Sequence, residues 1–367
     1  MNTSEFNSFI VILIYGSLVL LSLFNIANPL KVNRKANFWF GIFLFLWSTF
    51  WLDEILFLIT GSPIEFHSLF PVRIVQYLTP VFFYFSVLFY TNPSFRFKIT
   101  DLKFLLLPAA FVICLILARL GYTSPFEPLS IILILFQALF YTLLSYITIR
   151  KHQRKIQQFS SNTEGINLNW LEYIILVILA VNIIYVVYNL FYDPKSLNFF
   201  INTIFLLVVY CVGYYSLKQQ EIYPLEEKQR EELIFIQNDS DSGEVKRKLI
   251  YDDELTRIKA QLENIMEIQK PYLDSELNLI KLAEMLSVST HHLSYVINTG
   301  FQKNFFQYVN EFRVEYAKLL LKDSDSKLSI LGIAYESGFN SKTSFNTTFK
   351  KVTGQTPSGF KKISSGL

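Results

Sequence analysis

The sequence predicts an all-α protein in two parts, an N-terminal seven-helix transmembrane bundle and a C-terminal double helix-turn-helix domain. Three observations carry that prediction. The 367 residues are 51% hydrophobic and only 17% charged, whereas soluble domains hold about a quarter charged residues. Apolar runs of near-spanning length recur up to residue 217. Past residue 270 a pattern of short amphipathic helices around a tight turn occurs twice.

The apolar runs are Phe9–Ala27, Phe38–Thr60, Pro71–Tyr90, Phe104–Leu120, Leu129–Ile149, Leu171–Phe191 and Phe199–Leu217. Each holds roughly 17–23 residues, which at ~1.5 Å rise crosses about 30 Å of hydrocarbon. The mean hydropathy of +0.33 agrees with a chain largely in lipid. Met1-Asn2-Thr3-Ser4-Glu5 lacks the basic start of a cleavable signal, so Phe9–Ala27 is expected to stay as a span. Cys114 and Cys211 both sit inside apolar runs, which argues against a disulfide framework.

The loop charges set an orientation. Lys31, Arg34 and Lys35 follow the first span, Arg96, Lys98 and Lys103 the third, and Arg150, Lys151, Arg154 and Lys155 the fifth. The alternate loops hold Glu65, His67, Arg119, Glu127, Asp193 and Lys195, without a positive excess. Basic loops stay in the cytoplasm. A multi-pass protein of the inner (cytoplasmic) membrane is expected, with its N-terminus outside and everything after Leu217 inside.

Ionisable residues inside spans usually face the bundle and pair. Asp53 and Glu54 in the second span and Arg73 in the third are candidates for an outward-facing ligand pocket, with Gln76 and Asn182 nearby. The alternative is a structural ion pair, or side chains reaching for the headgroups. Trp39 suits an interfacial belt, and Trp47 and Trp51 suit packing.

Residues 218–270 form a polar linker between the membrane domain, 1–217, and the C-terminal domain, 271–367. Pro224 suits the first turn of a short helix running to Ile236, and Asn238–Glu244 reads as a flexible break. From Asp253 to Gln269, Leu255, Ile258, Leu262 and Ile265 are spaced 3-4-3. That stripe suits either the seam of a homodimer or docking on the chain's own C-terminal domain.

In the first helix-turn-helix copy, Ala283 allows the close helix crossing, Ser287 lies in the turn and Ser289 caps the second helix. Leu282, Leu286, Leu293, Val296 and Ile297 close a small core. In the second, Ser329 caps Ile330–Glu336, Ala334 takes the small position, Gly338 the turn, and Phe339, Phe345 and Phe349 the core. Between them Phe305–Leu321 reads as one helix with an apolar stripe of Phe305, Val309, Phe312, Tyr316, Leu319 and Leu320. About 17 residues span roughly 25 Å, enough with the ends added to set two reading helices about one DNA turn, ~34 Å, apart.

The run Gly332-Ile333-Ala334-Tyr335-Glu336-Ser337-Gly338-Phe339, with Ser341-Lys342, Phe345, Phe349-Lys350-Lys351 and Gly354-Gln355-Thr356-Pro357, resembles the DNA-binding domain of AraC-type transcription regulators. The resemblance covers the last quarter of the chain. It implies double-stranded DNA as partner and puts the reading positions on the second helix of each copy. In the first copy these are His291, His292, Ser294 and Tyr295, expected to be exposed around Leu293. In the second they are Lys342, Thr343, Asn346 and Thr347. Lys350, Lys351, Lys361 and Lys362 are expected at phosphates. Thr347 departs from the family, where arginine is common, and so weakens the second copy as a reader. His291-His292 does not make a metal site, because adjacent helical residues point apart.

The expected function is therefore a membrane-anchored regulator, not an enzyme, coupling an outer or intramembrane signal to promoter binding, with no cofactor. The alternatives are a membrane enzyme using Asp53 or Glu54 as acid or base, and a transporter with a regulatory tail. No metal-ligand set or nucleophile–base pair favours the first, and no clear internal repeat favours the second.

Overall fold

The computed structural model describes residues 3–62, 70–120, 123–191, 197–223, 233, 250–323 and 328–364. Among them the only pairing outside helices is one antiparallel bridge, Ser160 with Asn278. The chain divides into two compact units, one of Met1–Lys151 with Leu168–Ile222, the other of His152–Asn167 with Tyr223–Leu367. The division places a short segment from between two apolar helices with the C-terminal part.

The first unit contains α1 (Thr3–Ala27), α2 (Arg34–Ser48), α3 (Leu52–Thr60), α4 (Phe70–Thr91), α5 (Leu106–Arg119), most of α6 (Thr123–Ile156), α7 (Asn169–Phe191) and α8 (Leu197–Lys218). Among the described residues six helical stretches are long and apolar enough to cross a membrane: Glu5–Ala27, Arg34–Thr60, Pro71–Thr91, Ile99–Arg119, Ile132–Ile156 and Phe199–Lys218. The sixth expected span, Leu171–Phe191, falls on α7, whose described apolar part is Asn169–Ala180. Glu65, His67, Asp193 and Lys195 lie outside the described residues, as do the side chains of Glu127 and Asn182.

Small and polar residues join these helices where they approach closely. A Cβ on Gly41 of α2 would stand 2.6 Å from Ile26 Cγ1 and 2.9 Å from the Ser22 carbonyl of α1. Ser22 Oγ in turn donates to the Gly41 carbonyl at 2.8 Å. The second expected span is interrupted by a 3-10 turn at Thr49–Trp51. There Gln76 Nε2 donates to the Thr49 carbonyl at 2.8 Å, satisfying backbone at the break. Trp47 and Trp51 are buried, the latter donating to Asn202 Oδ1 at 3.1 Å. Trp39 lies among Phe82, Phe85, Phe89 and Phe97.

The second unit contains α9 (Asp252–Ile268), α10 (Leu279–Leu286), α11 (Thr290–Tyr295), α12 (Phe305–Lys322), α13 (Ile330–Glu336), α14 (Lys342–Thr353) and α15 (Pro357–Ser364). The α9 stripe turns inward, with Ile258, Leu262 and Met266 buried. Ile258 packs with Val296 and Ile250, against partly buried Leu255 and Tyr295. The docking alternative is what the structure adopts. Pro224 to Ile236 and Asn238–Glu244, expected as a short helix and a break, fall outside the described residues except for Leu233.

The stripe on α12 needs a correction. Leu319 is 65% exposed, whereas Tyr308, Val309, Asn310, Arg313, Val314, Ala317 and Leu321 are buried with Phe305. The inner face runs through Val309, Arg313, Ala317 and Leu321, four residues apart, and accepts one arginine.

Candidate nucleic-acid interface

Each copy is built as its sequence dictates. Ser289 Oγ accepts the His292 amide at 3.1 Å and Ser329 Oγ the Gly332 amide at 3.0 Å. Ser341 caps α14 by accepting the Ser344 amide at 3.1 Å. These contacts satisfy amides that a helix start leaves open. Leu282, Ala283, Leu286, Leu293, Val296 and Ile297 form the first core. Ile333, Ala334, Phe339, Phe345 and Phe349 join Val314, Ala317 and Leu321 of α12 in the second.

The reading positions separate into two groups. On α14, Lys342, Thr343 and Thr347 are exposed and Asn346 is half-buried; Lys350 and Lys351 are exposed further along. On α11, His291, His292 and Tyr295 are half-buried, and Ser294 is only 6% exposed. Ser294 Oγ accepts Asn298 Nδ2 at 3.3 Å, so this residue belongs to the interior face and not to the expected exposed set. The reason lies in helix spacing: Ser294 shares one face with buried Thr290, Leu293 and Ile297, at positions i, i+3, i+4 and i+7 from Thr290. Glu254 of α9 stands 3.8 Å from His292 Nδ1, and Tyr295 packs against the α9 cluster.

At the centre of the unit lies Arg313, 1% exposed. Its five N–H groups find five acceptors: Nε the Tyr272 carbonyl at 2.7 Å, Nη1 the Ser161 carbonyl at 3.3 Å and Asn310 Oδ1 at 3.2 Å, Nη2 Ser161 Oγ at 3.0 Å and the Asp274 carbonyl at 2.8 Å. The guanidinium also lies 5.8 Å from the centre of the Phe339 ring. Burial lowers its pKa to about 10, against the opposing charges of Asp274 and Glu276, so it stays cationic at neutral pH. Burial also pushes the Asp274 carboxyl up. The Glu276 amide, the Lys281 ammonium and Arg313 outweigh that effect, and the net pKa lies below the ordinary carboxylate value.

Gly338, the second turn, adopts φ +84° against this arginine. A Cβ there would overlap the Tyr272 carbonyl and meet Leu273 Cα at 3.0 Å and Arg313 Nε at 3.1 Å. Sequence reasoning placed Gly338 in the turn but missed Arg313. The available signal was its four-residue spacing from Val309 and Ala317 on an otherwise apolar face.

In the first unit, Arg73 Nη2 donates to Asp53 Oδ2 at 3.2 Å, and Nη1 stands 3.5 Å from Gln76 Oε1. Asp53, Arg73 and Gln76 are thus brought together, while Glu54 stands exposed beside them. Among the described residues no group of three His, Cys, Asp or Glu could hold a metal ion.

Two helix-turn-helix copies on either side of one rigid helix define a DNA-binding domain. Residues 282–363 match the family model described as a helix-turn-helix domain. An HTH-type transcriptional regulator of Staphylococcus aureus strain COL, described as uncharacterized, is 36% identical over 90 residues, 24% of this chain and 12% of its own. The melibiose operon regulatory protein of Escherichia coli K12 is 31% identical over 91 residues, 25% of this chain and 30% of its own. The similarity therefore spans less than a third of either relative. No solved structure matches. The C-terminal segment is an AraC-type helix-turn-helix domain.

Proposed function

We propose that this chain is a membrane-anchored, sequence-specific transcription regulator in which an outer or intramembrane signal alters promoter binding. The observation that carries this reading is an AraC-type DNA-binding domain following six apolar helices of spanning length in one chain. The basic loops Lys31–Lys35, Arg96–Lys103 and Arg150–Lys155 support an orientation with the C-terminal domain in the cytoplasm of a cell whose inner membrane holds the bundle.

In this reading Lys342, Thr343, Asn346 and Thr347 reach base edges in one major groove, and His291, His292 and Tyr295 reach the next with less exposed surface. Lys350 and Lys351 neutralise phosphates, which adds affinity without sequence preference. The Asp53–Arg73 pair, with Gln76 beside it, is the proposed signal site. Its ligand is a small polar molecule or a lipid headgroup able to exchange with that ion pair. A ligand shifts the equilibrium only by binding one state of the bundle more tightly than the other.

The test is binding of the full chain, in lipid nanodiscs, to a genomic fragment library across a salt series. The expected result is enrichment of a motif with two half-sites about 10 base pairs apart. Lys350→Ala and Lys351→Ala should each lower the slope of log affinity against log salt by about 0.9. Binding governed by salt alone, with no motif enriched, would overturn the reading.

A further inference from the structure

The segment between α6 and α7 lies in sequence between two apolar helices, yet it is built into the DNA-binding unit. The Phe159 carbonyl accepts the Leu279 amide at 2.8 Å, and the Ser161 amide donates to the Leu277 carbonyl at 3.4 Å. These two bonds flank the antiparallel pair Ser160–Asn278 at the entrance to α10. The Gln157 carbonyl accepts the Phe306 amide at 2.9 Å, in the first turn of α12. Asn310 Nδ2 donates to the Ser161 carbonyl at 3.0 Å. Ser161 itself is buried.

Ser161 supplies two of the five acceptors around Arg313, its carbonyl and its hydroxyl. The other ties of that guanidinium run to Tyr272 and Asp274, on the approach to the first copy, and to Asn310 of α12. Across it stands Phe339, in the turn of the second copy. A buried guanidinium that loses acceptors is costly, so a docked Ser161 stabilises the arginine in this position.

We propose that Gln157–Ser161 is a docking segment of the DNA-binding unit, and that Ser161, acting through Arg313, sets the separation of the two reading helices. Ser161 is then a positioning residue. Any movement of α6 or α7 reaches the domain along continuous chain, in addition to whatever passes through residues 218–270. The positioning role rests on the DNA-binding function proposed above, but the docking does not.

Two measurements on the full chain in nanodiscs test it. In a Cys114→Ser/Cys211→Ser background, Ser160→Cys with Asn278→Cys places two thiols on a bridge pair of the kind whose α-carbons lie about 4.5–5.5 Å apart, within disulfide reach. With a protease site inserted at 238–244, mild oxidation should leave the cleaved C-terminal fragment attached to the N-terminal one, and reductant should release it. Fragments that separate as freely as those of a Ser160→Cys/Lys342→Cys control would overturn the docking.

The second measurement compares selected DNA with the same DNA carrying two extra base pairs between half-sites. The parent should prefer the original spacing at least tenfold, Ser161→Ala less than threefold, and Ser161→Thr should restore most of the preference. A general loss of folded protein lowers binding to both DNAs and leaves the ratio intact. An unchanged ratio in Ser161→Ala would overturn the positioning role. A parent that binds no DNA would remove that role together with the proposed function, while the cross-link still reports on the docking.

Discussion

The two helix-turn-helix copies share a plan and differ in what crosses them. In the first, the turn residue Ser287 holds φ +54° without glycine, and α9 covers part of the six-residue reading helix. In the second, α14 runs twelve residues to Gly354 at φ +77°, with its reading face open. Its turn at Gly338 is instead crossed by the backbone of Tyr272 and Leu273. The first copy is thus constrained at its reading helix and the second at its turn. One motif can be stabilised at either end, and the end that stays free is the one available for recognition or for adjustment.

The largest effect that would break this contrast is Gly338→Ala. A left-handed non-glycine residue costs about 1–2 kcal/mol, and overpacking against fixed backbone adds about 1–3 kcal/mol. We expect a loss of about 3 kcal/mol in the C-terminal unit, read by faster amide exchange across α12 to α14. Exchange like that of the parent would mean the turn is not a packed joint.

Next is the division of base reading. Lys342→Ala should weaken DNA binding about tenfold, the worth of one good base contact at ~1.4 kcal/mol, and relax preference at the base it meets. His291→Ala should cost only about twofold. The reverse order in a competition titration would make the covered copy the dominant reader, as the threonine at 347 suggests by resemblance.

Smallest is Ser287→Gly, which relieves left-handed strain at some entropic cost. We expect a gain of about 0.5 kcal/mol, seen as slower exchange confined to α10 and α11. A loss of stability would show that the serine side chain is needed at that turn.

Much of this arrangement was legible in the sequence because it depends on local rules. The caps at Ser289 and Ser329, the small residues Ala283 and Ala334, and the phenylalanine core follow from spacing and from the unpaired amides of a helix start. Glycine at 338 was legible as a turn, but not the backbone that presses on it, since Tyr272 lies 66 residues earlier in the chain. Ser294 was misjudged because a polar residue was assigned outward, although it stands at helical spacing with Thr290, Leu293 and Ile297 on the inward face. The docking of Gln157–Ser161 left no periodic mark. It uses main-chain groups, which every sequence possesses, and one serine among many. In the N-terminal part, hydropathy located the apolar helices, while the backbone at the 3-10 break at Thr49–Trp51 is met by Gln76, a partner on another helix.

The docked segment also counts crossings. Residues 152–167 and 223–367 belong to one folded unit, so on the membrane reading both lie on the same face of the bilayer. Chain that leaves a face and returns to it must cross an even number of times. Between those segments lie two helices, α7 and α8, and α8 is long and apolar enough to cross. On that reading parity requires α7 to cross as well.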